Sequence, residues 1–469
     1  MSFSWVHLHN DFIRTLLTEF QKILILNLSG IRTMVARFFS RIISRINRTT
    51  RFPAIAVVGF AALLLLWFIS PVLSQESLEE RVFNEVWQTV NDNFYDDNFN
   101  GIDWAAMPDK YRPQIRQVQS RQQFAEVINQ MLAELQTSHT HFYTPSETAY
   151  YQLLGIFQPE IDDLPAAAKA LFPNDKYEYT GIGIFTKTSH EKTFVSAILD
   201  GSPAAIAGLR VGDELLSVDD NPYQPIESFT GKAGQNVTLL IQRSADPTSQ
   251  QEINVIPQTF DTTTLFKEAQ QASTQVIEQQ GKRIGYIHIW SNAADLHQQQ
   301  MMEDLMFGKL ADADGLVLDI RNGWGGGSIA YLNFFTGESP SITSIRRDGN
   351  AFIADYRWKK PVVLLINEGS RSSKEIIAFG FQQSDIGTLV GTTTAGAVVA
   401  GRGFVMQDGS LLYVAVANVL VDGNQRLEGK GVSPDIPVAF PLEYAEGVDP
   451  QKQQAIATLI TAIEQQHHY

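Results

Sequence analysis

With 469 residues, 44% of them apolar and 19% charged, the chain is globular in composition and long enough for about three domains of roughly 150 residues. It has no cysteine, which excludes disulfides and thiolate chemistry. The net charge is −15, made of +6 in residues 1–51 and −21 in the remainder, and an acidic body argues against nucleic acid as a partner.

The first 51 residues form a basic segment, with Arg32, Arg37, Arg41, Arg45, Arg48 and Arg51 leading into an uncharged stretch at 52–74 that reads AIAVVGFAALLLLWFI at its centre. About 20 such residues span a bilayer core. The arginines place residues 1–51 in the cytoplasm and everything after Gln75 outside. The stretch reads either as an anchor or as a signal peptide starting at Met34 and cut near Val72-Leu73-Ser74.

Residues 76–176 read as a helical unit. Phe124, Val127, Ile128, Met131, Leu132 and Leu135 follow the spacing of one helix face, and the helix is expected to stop at Gln136-Thr137. That leaves Ser138-His139-Thr140-His141 in the turn beyond it. Residues 177–258 open with Gly181-Ile182-Gly183-Ile184, continue through Gly201-Ser202-Pro203 and Gly208-Leu209-Arg210-Val211-Gly212-Asp213, and end in Val237-Thr238-Leu239-Leu240-Ile241. This run resembles a PDZ domain. The resemblance implies that backbone N–H groups of Gly181, Ile182, Gly183 and Ile184 hold a peptide's terminal carboxylate while the peptide adds to a sheet edge. Only about ten residues, Asn221 to Thr230, remain for the helix that walls such a groove, so it must be short.

Residues 259–449 alternate apolar strands, at 283–289, 315–320 and 361–367, with helical segments, which implies an α/β layer. Residues 450–469 read as a terminal helix or tail. The chain as a whole is expected to be an α/β multidomain protein: a helical N-terminal unit, a PDZ-like β domain and an α/β core with a mixed sheet.

Within the core, Gly369-Ser370-Arg371-Ser372-Ser373-Lys374-Glu375 follows a buried strand and opens a helix. A serine there meets free backbone N–H groups at the helix start, although most such serines are simple caps. Asp319-Ile320-Arg321-Asn322-Gly323-Trp324-Gly325-Gly326-Gly327 follows another strand; Val390-Gly391-Thr392-Thr393-Thr394-Ala395-Gly396 and Gly431-Val432-Ser433-Pro434-Asp435 come later. In this order the motifs resemble the C-terminal processing (tail-specific) protease family. The resemblance implies a serine endopeptidase working through an acyl-enzyme, with Ser372 as nucleophile and Ser373 with Gly325 or Gly326 as oxyanion donors. It implies protein or peptide substrates and no cofactor, and no metal-ligand spacing accompanies His139 and His141.

One position departs from the family. Members with a Ser-Lys dyad carry the lysine after the glycine matching Gly396, and here that residue is Ala397. Lys374, two residues along the nucleophile's helix, is expected to point away from Ser372. The segment around His139 is similar to the one that supplies histidine in the tricorn protease branch, whose glutamate matches Glu428. That resemblance implies a Ser372-His139-Glu428 triad, with His139 favoured over His141 and its pKa pushed upward by the glutamate. Asp319 and Arg321 are expected to form an internal ion pair, and Asp435 to cap its turn. A non-catalytic binding protein on the same fold is the competing reading.

Overall fold

The computed structural model describes residues 76–466, except 158–163, 173–175, 328, 330–331, 338–340 and 356. The expected anchor or signal segment at 52–74 therefore lies outside the described residues. No described helix is long and apolar enough to cross a membrane. From Leu78 onward the chain forms one compact unit.

Three helices come first: α1 (Leu78–Asn93), α2 (Met107–Ile115) and α3 (Arg121–Ala133). The Ser120 hydroxyl caps α3 by accepting from the N–H of Gln123, and α3 ends three residues before the expected stop. The apolar stripe does what its spacing requires: Phe124, Ile128, Met131 and Leu132 pack with Phe83, Val86 and Val90 of α1. Strand β1 (His141–Tyr143) and helix α4 (Thr148–Phe157) follow.

The PDZ module is a five-stranded antiparallel sheet, β2 (Ile184–Ser189), β3 (Lys192–Ile198), β4 (Glu214–Val218), β5 (Val237–Gln242) and β6 (Gln250–Val255), in sequential order. Its core joins Ile182, Val195, Leu215, Val218, Phe229 and Leu239. Between Asn221 and Lys232 no helix forms at all; the segment closes in turns, such as the Thr230 N–H on the Ile226 carbonyl at 3.1 Å. The expected short groove helix is thus replaced by turns, and Tyr223 from that segment packs against the core of the module.

The core begins with helix α5 (Leu265–Ser273), then β7 (Gln275–Gln279), β8 (Lys282–His288), helix α6 (Asp295–Met306), β9 (Gly315–Asp319), β10 (Val362–Ile366), helix α7 (Ser373–Gln383) and β11 (Thr388–Gly391). A hairpin, β12 (Val399–Val405) and β13 (Leu411–Asn418), precedes the short β14 (Ile436–Pro437) and helix α8 (Pro450–Gln466). The main sheet has the order β14-β11-β10-β9-β8-β7, parallel except for the β7–β8 pair. Helix α8 covers one face through Leu459 and Ile463, and Met301, Leu305, Ile377 and Phe381 cover the other. Central strands buried on both faces explain why their sequences are continuously apolar.

One pairing matters most for function. Strand β1 adds antiparallel to β13, with His141 opposite Tyr413 and Phe142 opposite Leu412. The helical unit thereby completes its core with Leu412 and Val414 of the hairpin, and the histidine-bearing turn is brought against the core.

Candidate active site

Ser372 stands where β10 turns into α7. Its backbone has φ 58° and ψ −127°, a conformation that costs an L-residue energy and recurs at nucleophile-bearing turns. Two acceptors hold its N–H: the Ala397 carbonyl at 2.9 Å and Glu375 Oε2 at 3.1 Å. Ser372 faces a cavity of about 610 Å³ shared with Ser138, His139, His141, Gly325, Gly326, Arg371, Ser373 and Ala397. Of the candidate catalytic and oxyanion residues, only Glu428 is absent from its lining.

Gly325 lies so close that a Cβ built on it would sit 2.8 Å from the Arg371 carbonyl and 3.1 Å from Ser372 Oγ. Glycine is required there by space. No described group accepts from the N–H of Gly325 or Ser373, so both are open to an oxyanion. The loop carrying Gly325 is tied down from behind: the Trp324 N–H donates to the Trp290 carbonyl at 2.9 Å, and Asn292 Nδ2 donates to the Gly326 carbonyl and to Ser373 Oγ.

Lys374 is absent from the lining of the Ser372 cavity. It is fully buried, and its Nζ donates to the carbonyls of Trp290 and Asn322 at 3.2 and 2.6 Å. Burial pushes its amine down to about 7, assisted by the Arg371 charge and opposed by Asp319. Asp319 and Arg321 form the expected internal pair at 2.6 Å, shared with Asp449. Burial alone would raise the Asp319 pKa, but the Arg321 charge holds it well below the usual carboxylate range. Asp435 accepts from the Leu389 N–H at the start of β11, a cap across strands more than of its own turn.

Two residues that shape the site carry no signal of that role in the sequence. Glu375 is buried and accepts from Thr394 Oγ1, from the N–H groups of Gly396 and Ala397, and from the Ser372 N–H. Burial raises its pKa despite those donors. This carboxylate fixes the nucleophile turn against the Gly396–Ala397 turn. Glu375→Gln leaves one acceptor oxygen for four donors, so about 3 kcal/mol of stability and at least about tenfold in kcat should be lost, measured by thermal melts and peptide hydrolysis. The second residue is Ser138, whose N–H and hydroxyl both donate to Glu428 at 2.9 Å.

Glu428 therefore does not bond His139 directly. Its carboxylate is taken up by Ser138 and by the Val398 N–H at 2.6 Å, while His139 Nδ1 meets Ser138 Oγ at 2.9 Å. The expected upward pKa shift of His139 is also reversed. Burial and then the Arg371 charge lower it to about 4, outweighing Glu428, which acts in the opposite direction. His141 is lowered to about 4 for the same first two reasons.

Comparison with known proteins gives three consecutive matches. Residues 79–133 match the Tricorn protease C1 domain, 194–243 a PDZ domain and 283–438 Peptidase family S41. The chain is 26% identical over 430 residues to a carboxyl-terminal-processing protease of Synechocystis sp., covering 88% of this chain and 93% of that protein. It is also 26% identical to tricorn protease homolog 1 of Streptomyces coelicolor, over 82% of this chain and 35% of that protein. The solved photosystem II D1 C-terminal processing protease is similar at 22% identity and a TM-score of 0.45, covering 81% of this chain and 97% of that one.

The S41 match corrects the expectation of a Ser-His-Glu triad, because peptidases of that family work through a Ser-Lys dyad. The geometry agrees that Ser372, His139 and Glu428 are not joined as a triad, since Ser138 stands between the last two. Its helical, PDZ and core segments thus match, in order, the Tricorn protease C1 domain, a PDZ domain and Peptidase family S41, and over most of its length the chain is similar to a carboxyl-terminal-processing protease.

Proposed function

We propose that the protein is a serine endopeptidase that cleaves protein or peptide substrates near their C-termini, with the PDZ module positioning the substrate. The observation that carries this reading is the strained Ser372 turn facing a cavity beside the open N–H groups of Gly325 and Ser373. The Ser372 hydroxyl gives up its proton and attacks the scissile carbonyl while the two N–H groups hold the oxyanion; the C–N bond then breaks, the amine leaves with a proton, and water hydrolyses the acyl-enzyme to a free carboxylate and restores the hydroxyl. His139 is a further residue of the site, and Glu428 is a positioning residue that fixes the Ser138–His139 turn. The relationship to carboxyl-terminal-processing proteases supports an extracytoplasmic location. Attachment to the membrane through residues 52–74, the absence of nucleic-acid partners, the PDZ contacts at Gly181–Ile184 and the unit boundaries at 76–176, 177–258 and 259–449 belong to the same proposal.

A fluorophosphonate probe should label Ser372 in the wild-type chain, and absence of labelling would favour the non-catalytic binding protein. The pH profile tests how the serine is activated. Because His139 stays neutral down to about 4, its own titration should leave kcat/KM unchanged as pH falls from 8 to about 5. An acid limb near 7 that vanishes in Lys374→Met would give the serine proton to the buried Lys374 amine.

A further inference from the structure

Among the described residues lining the Ser372 cavity, Arg371 is the one with a permanent charge, and no carboxylate faces it. The guanidinium carbon lies 5.6 Å from the centre of the Trp324 ring, a cation–π contact, and the group carries five N–H donors. No described group accepts a hydrogen bond from those donors or pairs with the charge. The charge is felt across the cavity, where it disfavours protonation of His139 and His141 and favours ionisation of Tyr143. The remaining walls include Leu153, Ile156 and Phe157, which offer apolar surface but no competing anion.

We propose that Arg371 binds the free terminal carboxylate of the substrate, so that short segments are removed from chain ends. This rests on the peptidase reading above and adds the group that recognises the terminus at the reacting centre. A planar guanidinium pairs a carboxylate through two parallel hydrogen bonds. Arg371 and Ser372 have Cα atoms about 3.8 Å apart. An extended peptide advances about 3.3 Å per residue. A carboxylate at Arg371 therefore puts the scissile bond within a few residues of the end.

The test uses two peptides of one apolar sequence, ending in a free carboxylate or in an amide, with the full chain. The free acid should be favoured about tenfold or more in kcat/KM, the size expected of a charge-assisted pair. In Arg371→Met the ratio should fall to near one, and in Arg371→Lys to an intermediate value, because an ammonium lacks the planar fork. Each ratio is internal to one variant, so partial loss of folded protein cancels. Binding of both peptides to the Ser372→Ala chain should show the same preference without turnover. A wild-type ratio near one overturns the proposal. So does a preference that survives in Arg371→Met, which would assign terminus recognition to the PDZ loop. Failure of the peptidase reading is seen separately, as no cleavage of either peptide and no probe on Ser372, while the binding measurement still reports on Arg371.

Discussion

Ser372→Ala is expected to lower kcat/KM by about 10⁶-fold and to abolish fluorophosphonate labelling while barely changing the melting temperature. The variant removes one oxygen that faces the cavity and keeps the backbone bonds of residue 372 to Ala397 and Glu375. Ser370, two residues earlier, is the natural control. Its hydroxyl is fully buried, donates to the Ile320 carbonyl at 3.0 Å and accepts from the Asn367 N–H at 3.1 Å. Ser370→Ala should therefore cost about 1–3 kcal/mol of stability and keep the probe reaction. Labelling that survives in Ser372→Ala but is lost in Ser370→Ala would move the nucleophile by two residues and undo the assignment.

Gly325→Ala is expected to reduce kcat/KM by about 10²–10³-fold, the range seen when an oxyanion donor is displaced. The added methyl would meet the Arg371 carbonyl at 2.8 Å and Ser372 Oγ at 3.1 Å, both tighter than ordinary contact. Neither partner can yield cheaply, because Ser372 is held by two acceptors and the glycine loop is anchored through Trp324 and Asn292. Kinetics and probe labelling measured together locate the damage: slowed labelling reports a crowded nucleophile, whereas normal labelling with poor turnover reports a lost oxyanion donor. Full activity would show that the loop is free to retreat and that its N–H groups are not held in place for catalysis.

Local pattern was enough for much of this architecture. The stripe from Phe124 to Leu132 packs as its spacing requires, and the apolar runs at 315–320 and 361–367 are central strands because a strand covered on both faces tolerates no polar alternation. Ser372 was legible for the same reason: a strand, a Gly/Ser turn and a helix start are adjacent in sequence. The histidine wall was found by resemblance, and its partner was misjudged. Ser138 and Glu428 are 290 positions apart, and nothing in either neighbourhood states that the carboxylate reaches Ser138 before His139. The pKa of His139 was misjudged with it, because burial is a property of the assembled cavity and outweighed the single charge visible in the sequence. Glu375 was overlooked because an acidic residue in the first turn of a helix has an ordinary explanation. Only the fold reveals that its donors come from about 20 residues downstream.

The strand pairing between β1 and β13 also governs when the protein can become active. The Ala415 N–H donates to Thr140 Oγ1 across 275 positions, and Leu412 and Val414 complete the apolar core of the helices made at the start of the described chain. On a ribosome, which makes chains from the N-terminus, His139 emerges long before the hairpin that seats it, and Ser372 emerges before the Ala397 carbonyl and the Gly396–Ala397 turn that hold its backbone. A partly synthesised chain therefore has a serine but no assembled site. Peptide-cutting ability arrives only after this hairpin has been made and has left the ribosome, which spares the emerging polypeptide and its neighbours from premature cleavage.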